Sequence, residues 1–314
     1  MREGEQLTML DRRAGEPQRD HTRYAPENAY TLYTGPCEHL LRDIPAAAAS
    51  LIVTSPPYNI GKSYEKKSSL AAYIESQERV IALCAEKLSA TGSICWQVGN
   101  HIHDGGIVPL DIALYPLFAK YGLVLRNRII WHFEHGLHCS RRLSGRYETV
   151  LWFTRATGDY TFHLDPIRVP QKYPGKRYYK GPKAGQYSAN PLGKNPGDVW
   201  VIPNVKHNHV EKTDHPCQFP VELVERFVLA LTNERDLVID PYIGSGTTAV
   251  AALRHGRRVA GADTAAKYIR IANARVAATL NGTIRTRPMG REVYRPKGAV
   301  SVAPELTPVA TDAA

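Results

Sequence analysis

A chain of 314 residues can bury a full core, and an apolar share of 43% is ordinary for a globular protein. The formal net charge of +10 favours a polyanionic partner. No apolar run approaches the ~20 residues of a membrane span, and the opening "MREGEQLTMLDRRAGEPQRDH" lacks the apolar centre of a signal peptide. Five cysteines (Cys37, Cys84, Cys95, Cys139 and Cys217) without a Cys-x-x-Cys pair argue against a zinc ribbon and a disulfide framework, so a reducing cytoplasm is expected.

Residues 1–28 are polar and read as a flexible arm. "TLYT" then reads as a strand and "EHLLRDI" as a helix. Leu51 to Thr54 forms a short apolar strand stopped by Pro56 and Pro57, which cannot donate to a sheet ladder. The diproline predicts a rigid loop at the end of a buried strand, holding Ser55, Tyr58 and Asn59 in place.

Apolar positions at helical spacing predict a helix over 70–88, followed by the strand "GSICWQVGN". "PLDIALYPLFAKYG" predicts a helix ending at Gly122, and "RNRIIWHF" and "YETVLWFTR" predict two more strands. Between those strands lies "EHGLHCSRR", whose Arg141 and Arg142 are candidate contacts to a polyanion, although an ordinary surface loop reads nearly as well.

Periodicity fails from 156 to 212, apart from the strand-like "DVWVIP". Between Ile167 and Gly197 there are seven Lys or Arg and no acid, with four tyrosines interleaved. Cations for phosphates and rings for bases make this a candidate nucleic-acid surface, carried by Lys172, Lys176, Arg177, Lys180 and Lys183. His207, His209 and His215 do not show a recognised metal-ligand spacing, so no metal is expected.

Order returns with the helix "PVELVERFVLALT", the strand "DLVID", the helix "TTAVAALRHG", the strand "RRVAGAD" and the helix "TAAKYIRIANARVAATL". Residues 281–314 read as a flexible tail. Strands alternating with helices on both sides of one insert predict an α/β, doubly wound, mostly parallel sheet. Residues 29–155 and 213–280 would form one domain and 156–212 the insert.

"DLVIDPYIGSGTTAVAAL" predicts a strand, a glycine loop and a helix, with Gly244 and Gly246 permitting close backbone approach. Asp263 closes the next strand, where an acid can accept hydrogen bonds from ribose hydroxyls. Gly246 is followed by Thr247, not by a third glycine spacing or a Lys, so dinucleotide and phosphate-loop readings weaken. A nucleoside carrying a carboxylate remains.

These segments together resemble the beta-class, S-adenosylmethionine-dependent DNA amino-methyltransferases. "TSPPY" is similar to the family's catalytic motif, "DPYIGSGTT" to its methionine-binding loop, and "HPCQFP" to a cofactor-holding stretch. "YTGPCEHL" is similar to its Gly-Asp-Cys segment, but Pro36 stands where the family has an acid. The resemblance implies a circularly permuted, Rossmann-like methyltransferase sheet with 156–212 as an inserted target-recognition region.

It implies catalysis by Ser55, Pro56, Pro57 and Tyr58. Cofactor contacts would come from Cys37, His215, Pro216, Gln218, Asp240, Tyr242, Gly244, Ser245, Gly246, Thr247 and Asp263. S-Adenosylmethionine would be converted to S-adenosylhomocysteine, without a metal. The implied substrate is duplex DNA, with a flipped base methylated directly by in-line transfer. The family's use of Ser before Pro-Pro favours cytosine N4, with adenine N6 the alternative.

A catalytically inactive DNA-binding module, an RNA methyltransferase and a Pro216-Cys217 thiolate attacking cytosine carbon 5 stay open. So do a cognate restriction endonuclease and a homodimer as partners. A cytoplasmic, nucleoid-associated protein without membrane contact is expected.

Overall fold

The computed structural model describes residues 21–59, 68–103, 105–136, 138–156 and 158–293. The strand β1 (Tyr30–Thr34) and helix α1 (Cys37–Asp43) lead to β2 (Ala49–Thr54), which is almost wholly buried. Helix α2 (Leu70–Lys87) starts where the Ser69 side chain accepts a hydrogen bond from the Ala72 amide, at 3.2 Å. It runs directly into β3 (Leu88–Val98), a longer strand than its apolar run alone predicts.

A small antiparallel pair, β4 (Asn100–His103) and β5 (Gly106–Pro109), precedes α3 (Leu110–Lys120). Then come β6 (Leu123–His132), β7 (Tyr147–Arg155) and the short β8 (Val199–Val201). The chain returns through α4 (Val221–Leu231), β9 (Leu237–Asp240), α5 (Thr247–Arg254), β10 (Arg258–Asp263) and α6 (Ala266–Leu280).

Eight strands form one sheet in the order β1-β10-β9-β2-β3-β7-β6-β8. Neighbours pair in parallel except at β7, which runs against both β3 and β6. One face packs on α4, α5 and α6 through residues such as Val224, Phe227, Val250 and Ile269. The other packs on α1, α2 and α3 through Leu41, Ile81, Leu114 and Phe118. Burial on both faces explains why β2, β9 and β10 are near-continuous apolar runs.

Strands β2 and β9 lie side by side, with Ile52 opposite Ile239. From β2 the chain proceeds to β3 on one side, and from β9 to β10 on the other. The crevice beyond their carboxyl ends is therefore the place where such a sheet opens for a ligand.

Four departures from the sequence reading stand out. The β4–β5 pair carries no strong alternation and goes unpredicted. The strand β8, inside the irregular insert, is an edge of the main sheet and pairs in parallel with β6. Residues 281–293, read as the start of a flexible tail, are mostly exposed but anchored at Arg287: its buried guanidinium pairs with Glu222, and its backbone amide donates to Glu211 at 2.9 Å.

The same carboxylates hold the start of α4, where Val221 N donates to Glu211 at 2.8 Å and Arg226 pairs with Glu222 at 3.1 Å. The end of the predicted arm also packs, with the His21 ring stacked on Tyr30 at 4.0 Å and Asn28 buried. The remainder of the arm, 1–20, and of the tail, 294–314, lies outside the described residues.

Removing one partner from a buried pair leaves the other charge desolvated, at a cost of about 3–5 kcal/mol. Arg287→Ala is therefore expected to lower the unfolding free energy by about 3 kcal/mol in urea titrations. Truncating an exposed cation such as Lys180 should move it by less than about 0.5 kcal/mol.

Candidate active site

The ends of β2 and β9 are fastened by one carboxylate. Asp240 is fully buried and accepts hydrogen bonds from Thr54 and Thr248, each at 2.5 Å, and from the Tyr242 amide at 3.1 Å. Thr54 ends the strand before the diproline loop, and Thr248 lies in the first turn of α5. Burial lifts the Asp240 pKa to about 6, against the lowering effect of those three donors.

A cleft of about 460 Å³ opens above this clamp and is lined from both sides. The sequence-predicted Ser55, Pro56, Pro57 and Tyr58 form one wall. Tyr242, Gly244, Ser245, Thr247 and Asp263 face them, with Cys37, His215, Pro216 and Gln218 also lining the space. The two segments flagged by the sequence thus share one cavity.

Two predicted contacts do not reach it. Asp240 lies beneath the cleft as the clamp, and does not line it. Gly246 turns into α5 at φ +77°, and a Cβ there would come within 2.8 Å of Ala272 Cβ, so its smallness serves the packing of α5 on α6. Gly244, at φ +49°, does border the cleft, and a Cβ there would meet the His215 ring at 3.0 Å.

Asp263 closes β10, and its carboxylate takes the Ala265 amide at 2.7 Å and the Gly244 amide. Burial raises its pKa above the usual aspartate range, against those donors. Helix α5 has Gly246 at its N-cap and no side-chain cap, so its first-turn amides remain as donors for an anionic group.

Beneath the loop, the buried Arg275 donates to the Ser245 carbonyl at 3.0 Å and to Thr247 at 2.9 Å. Burial lowers its pKa to about 10. Gln218 spends its amide on the loop before α4, accepting from Thr213 at 2.9 Å and donating to the Glu211 carbonyl at 2.8 Å. The Tyr242 ring packs edge-on against Trp96 at 6.4 Å, and its hydroxyl accepts from Gln77.

On the diproline side, Tyr58 and then Asn59 follow the two prolines, and Asn59 stands at φ +57° with its side chain buried. Its amide donates to the Ser68 carbonyl at 2.8 Å and accepts from the Ser68 amide at 2.7 Å. Ser55 Oγ lies 3.1 Å from Tyr58 Oη, and Tyr58 donates to Glu148 at 3.2 Å. Gln97 donates to the same carboxylate oxygen.

Glu148, Gln97, Trp131 and Phe133 all line the cleft and escape the sequence reading. Their placement follows from the reversed β7: its first residues arrive beside the last residues of β3. A Glu heading an otherwise apolar strand was the available signal. Glu38, next to Cys37, also lines the cleft and was not singled out.

None of the predicted DNA-contacting cations lines the cleft. Lys172, Lys176, Lys180, Lys183, Arg141 and Arg142 are exposed, and Arg142 also reaches the Gly105 carbonyl at 3.4 Å. Two isolated antiparallel bridges, Val169↔Lys194 and Arg177↔Tyr187, fold the insert back on itself as an irregular ribbon. Arg177 is used within it: its guanidinium stacks on Tyr187 at 4.0 Å and donates to the Gly185 carbonyl at 2.5 Å. The ribbon's far end presents Tyr179, 89% exposed, with Lys180 and Lys183.

Among the described residues no group of three or more His, Cys, Asp or Glu side chains could hold a metal ion. His207 bonds Asn208, and His209 accepts the Glu211 amide.

Comparison with known proteins matches residues 49–274 to a family described as DNA methylase, the N6/N4 methyltransferases. The Type II methyltransferase M.BglII of Bacillus subtilis is 46% identical over 267 residues, which covers 85% of this chain and 74% of that one. Among solved structures, the PvuII DNA methyltransferase (cytosine-N4-specific) superposes with a TM-score of 0.63 at 20% identity, covering 82% of this chain and 95% of that one. TTHA0409, a DNA modification methylase from Thermus thermophilus complexed with S-adenosyl-L-methionine, gives 0.57 at 25% identity, covering 80% and 96%.

The raised Asp240 pKa has a testable sign. The folded state holds this proton more tightly than the unfolded chain, so the favourable contribution is complete below about pH 4 and is lost as pH rises through about 6. The slope is worth about 3 kcal/mol over that window. Urea unfolding of wild type and Asp240→Asn between pH 4 and 7 should show it in the wild type and not in the variant.

Proposed function

The chain belongs to the DNA methylase family, the beta-class S-adenosylmethionine-dependent N4-cytosine and N6-adenine methyltransferases, and from that premise we propose that it methylates cytosine N4 in duplex DNA. The observation that carries the reading is the shared cleft, in which a diproline loop faces a glycine loop across one space. Ser55 at the head of the motif, the residue the family uses more often for cytosine, favours cytosine over adenine.

The residues present fit the cofactor. The cleft has the volume of a nucleoside-sized site, Asp263 lines it at a strand end, and the uncapped α5 N-terminus suits a carboxylate. Asp263 would hold the ribose hydroxyls, and the Gly244–Ser245 loop with the first turn of α5 would hold the methionine carboxylate. Cys37, His215, Pro216 and Tyr242 would border it. Asp240, Gly246 and Arg275 fix the loop from below. When bound, S-adenosylmethionine supplies an electrophilic methyl carbon.

The chain's own residues prepare the acceptor. The exocyclic nitrogen is a weak nucleophile because its lone pair is delocalised into the base. Ser55 Oγ and the Pro56 carbonyl accept hydrogen bonds from its two N–H groups and draw the nitrogen toward tetrahedral geometry, which favours in-line transfer. Fixed proline φ angles keep that carbonyl aimed without reorganisation. The Tyr58 ring stacks on the base, and Trp131 and Phe133 supply apolar walls that keep water out. The base reaches the cleft by leaving the duplex, at a few kcal/mol recovered in stacking and edge contacts.

The order of catalytic loop, insert and glycine loop agrees with the family's permuted arrangement, with 156–212 as the recognition region. Tyr179, Lys180 and Lys183 at the ribbon's end are the contacts we assign to the duplex. The family is associated with restriction–modification, so a cognate endonuclease and a nucleoid location follow as part of this reading.

Digestion of methylated duplex to nucleosides, followed by mass spectrometry, should yield N4-methyldeoxycytidine. N6-methyldeoxyadenosine would assign the other amino base, 5-methyldeoxycytidine would move the chemistry to Cys217, and cofactor binding without methylation would leave a binding module. Lys180→Ala with Lys183→Ala should weaken duplex binding and lower the log–log salt slope by about 1 for each phosphate no longer neutralised, read by fluorescence anisotropy.

A further inference from the structure

The cleft contains a carboxylate that amino-group methylation of itself does not call for, and it is already wired to the catalytic loop. Tyr58 has one hydroxyl proton. Glu148 as a carboxylate can only accept, so at 3.2 Å the Tyr58 proton points to Glu148 Oε2. The contact of 3.1 Å between Ser55 and Tyr58 must then be filled by the Ser55 proton. The chain of donors runs one way, from Ser55 through Tyr58 to Glu148. It leaves the Ser55 lone pairs available to accept from an amino group in the cleft.

Gln97 donates to Glu148 Oε2 from the end of β3 and fixes the carboxylate at the relay's terminus. Groups that face the relay include Tyr58 from the diproline loop, Gln97 from β3, Glu148 from β7 and Cys217 from the loop before α4.

We propose that Ser55, Tyr58 and Glu148 form a proton relay that removes the surplus proton from the newly methylated amino nitrogen. This rests on the amino-methyltransferase reading above. The alkylated nitrogen carries a positive charge and one proton too many. That N–H bond breaks with its electron pair left on nitrogen. Ser55 Oγ takes the proton and passes its own hydroxyl hydrogen to Tyr58 Oη, which passes its hydrogen to Glu148 Oε2. Both hydroxyls are regenerated, and Glu148 ends as the neutral acid until product release exposes it to water. Ser55 touches the substrate and is catalytic in this scheme; Glu148 acts through Tyr58 as the terminal acceptor.

The test compares Tyr58→Phe, Glu148→Gln and the double variant in single-turnover methylation of a target duplex. Tyr58→Phe keeps the ring and removes the relay atom. Glu148→Gln keeps an acceptor and removes the basic site. Each is expected to slow transfer roughly 10²-fold, the scale of a positioned acid–base group. Cofactor and duplex dissociation constants should stay within about twofold, and the double variant should be no slower than either single one. The wild-type rate should climb with pH over the acid range, and Glu148→Gln should be flat there.

Without cofactor or DNA, infrared difference spectra should show the Glu148 carboxylate stretch shifting in Tyr58→Phe, with that band absent from Glu148→Gln. A Tyr58→Phe enzyme within about threefold of wild type would overturn the relay, as would additive losses or an unchanged pH profile in Glu148→Gln. A wild-type enzyme that methylates no amino group would instead reject the underlying reading, and nucleoside analysis separates the two failures.

Discussion

The arrangement of this molecule depends on the Asp240 clamp. One buried carboxylate at the end of β9 receives the hydroxyl of Thr54, 186 positions earlier in the chain, and that of Thr248 in the following helix. Two paired strands and the helix that follows the second are thereby fixed at the point where their loops diverge. Desolvation works against the charge, as the raised pKa records, and three donors oppose that cost. A carboxylate here contributes geometry more than stability. It sets the spacing between the diproline loop and the glycine loop, and with it the width of the cleft.

The polar groups of the cleft are similarly over-determined. Asn59 closes its own loop onto Ser68, Arg275 supports the glycine loop from α6, and Gln218 is committed to the turn before α4. Side chains held by several partners need no reorganisation when a ligand arrives, which is where electrostatic stabilisation gains its strength. The antiparallel β7 adds what an all-parallel sheet could not: the beginning of a strand, with its Glu148, at the same edge as the ends of its neighbours.

Much of the fold was legible in the residues because buried parallel strands and amphipathic helices carry strong local patterns. The segments around β2, β9, β10, α4 and α6 are of this kind, and the two loops leaving β2 and β9 announce themselves by Pro-Pro and by paired glycines. What was not legible depends on long-range pairing. Glu148 reads as the polar head of a strand until β7 is placed beside β3. The contact between Arg177 and Tyr187 is invisible until the insert folds back on itself. Residues 281–293 look like tail by composition, and only the buried Glu211 and Glu222 give Arg287 its place. Asp240 was assigned to the ligand because its position in the motif is adjacent to the cleft, while its side chain points into the sheet's interior partners.

The strand β8 has a consequence for exchanging the insert between relatives. It belongs by sequence to the irregular insert, yet it completes the catalytic sheet: Ile130 N donates to the Asp198 carbonyl, the Trp131 indole to the Ile202 carbonyl, and Trp200 packs on Phe227 of α4. A chimera spliced near residue 212 would bring a foreign edge strand against β6 and loosen Trp131, a wall of the cleft. A graft confined to the residues between Val169 and Lys194 would leave that edge intact, so the natural seam for exchanging the insert lies well inside the region that composition alone marks out.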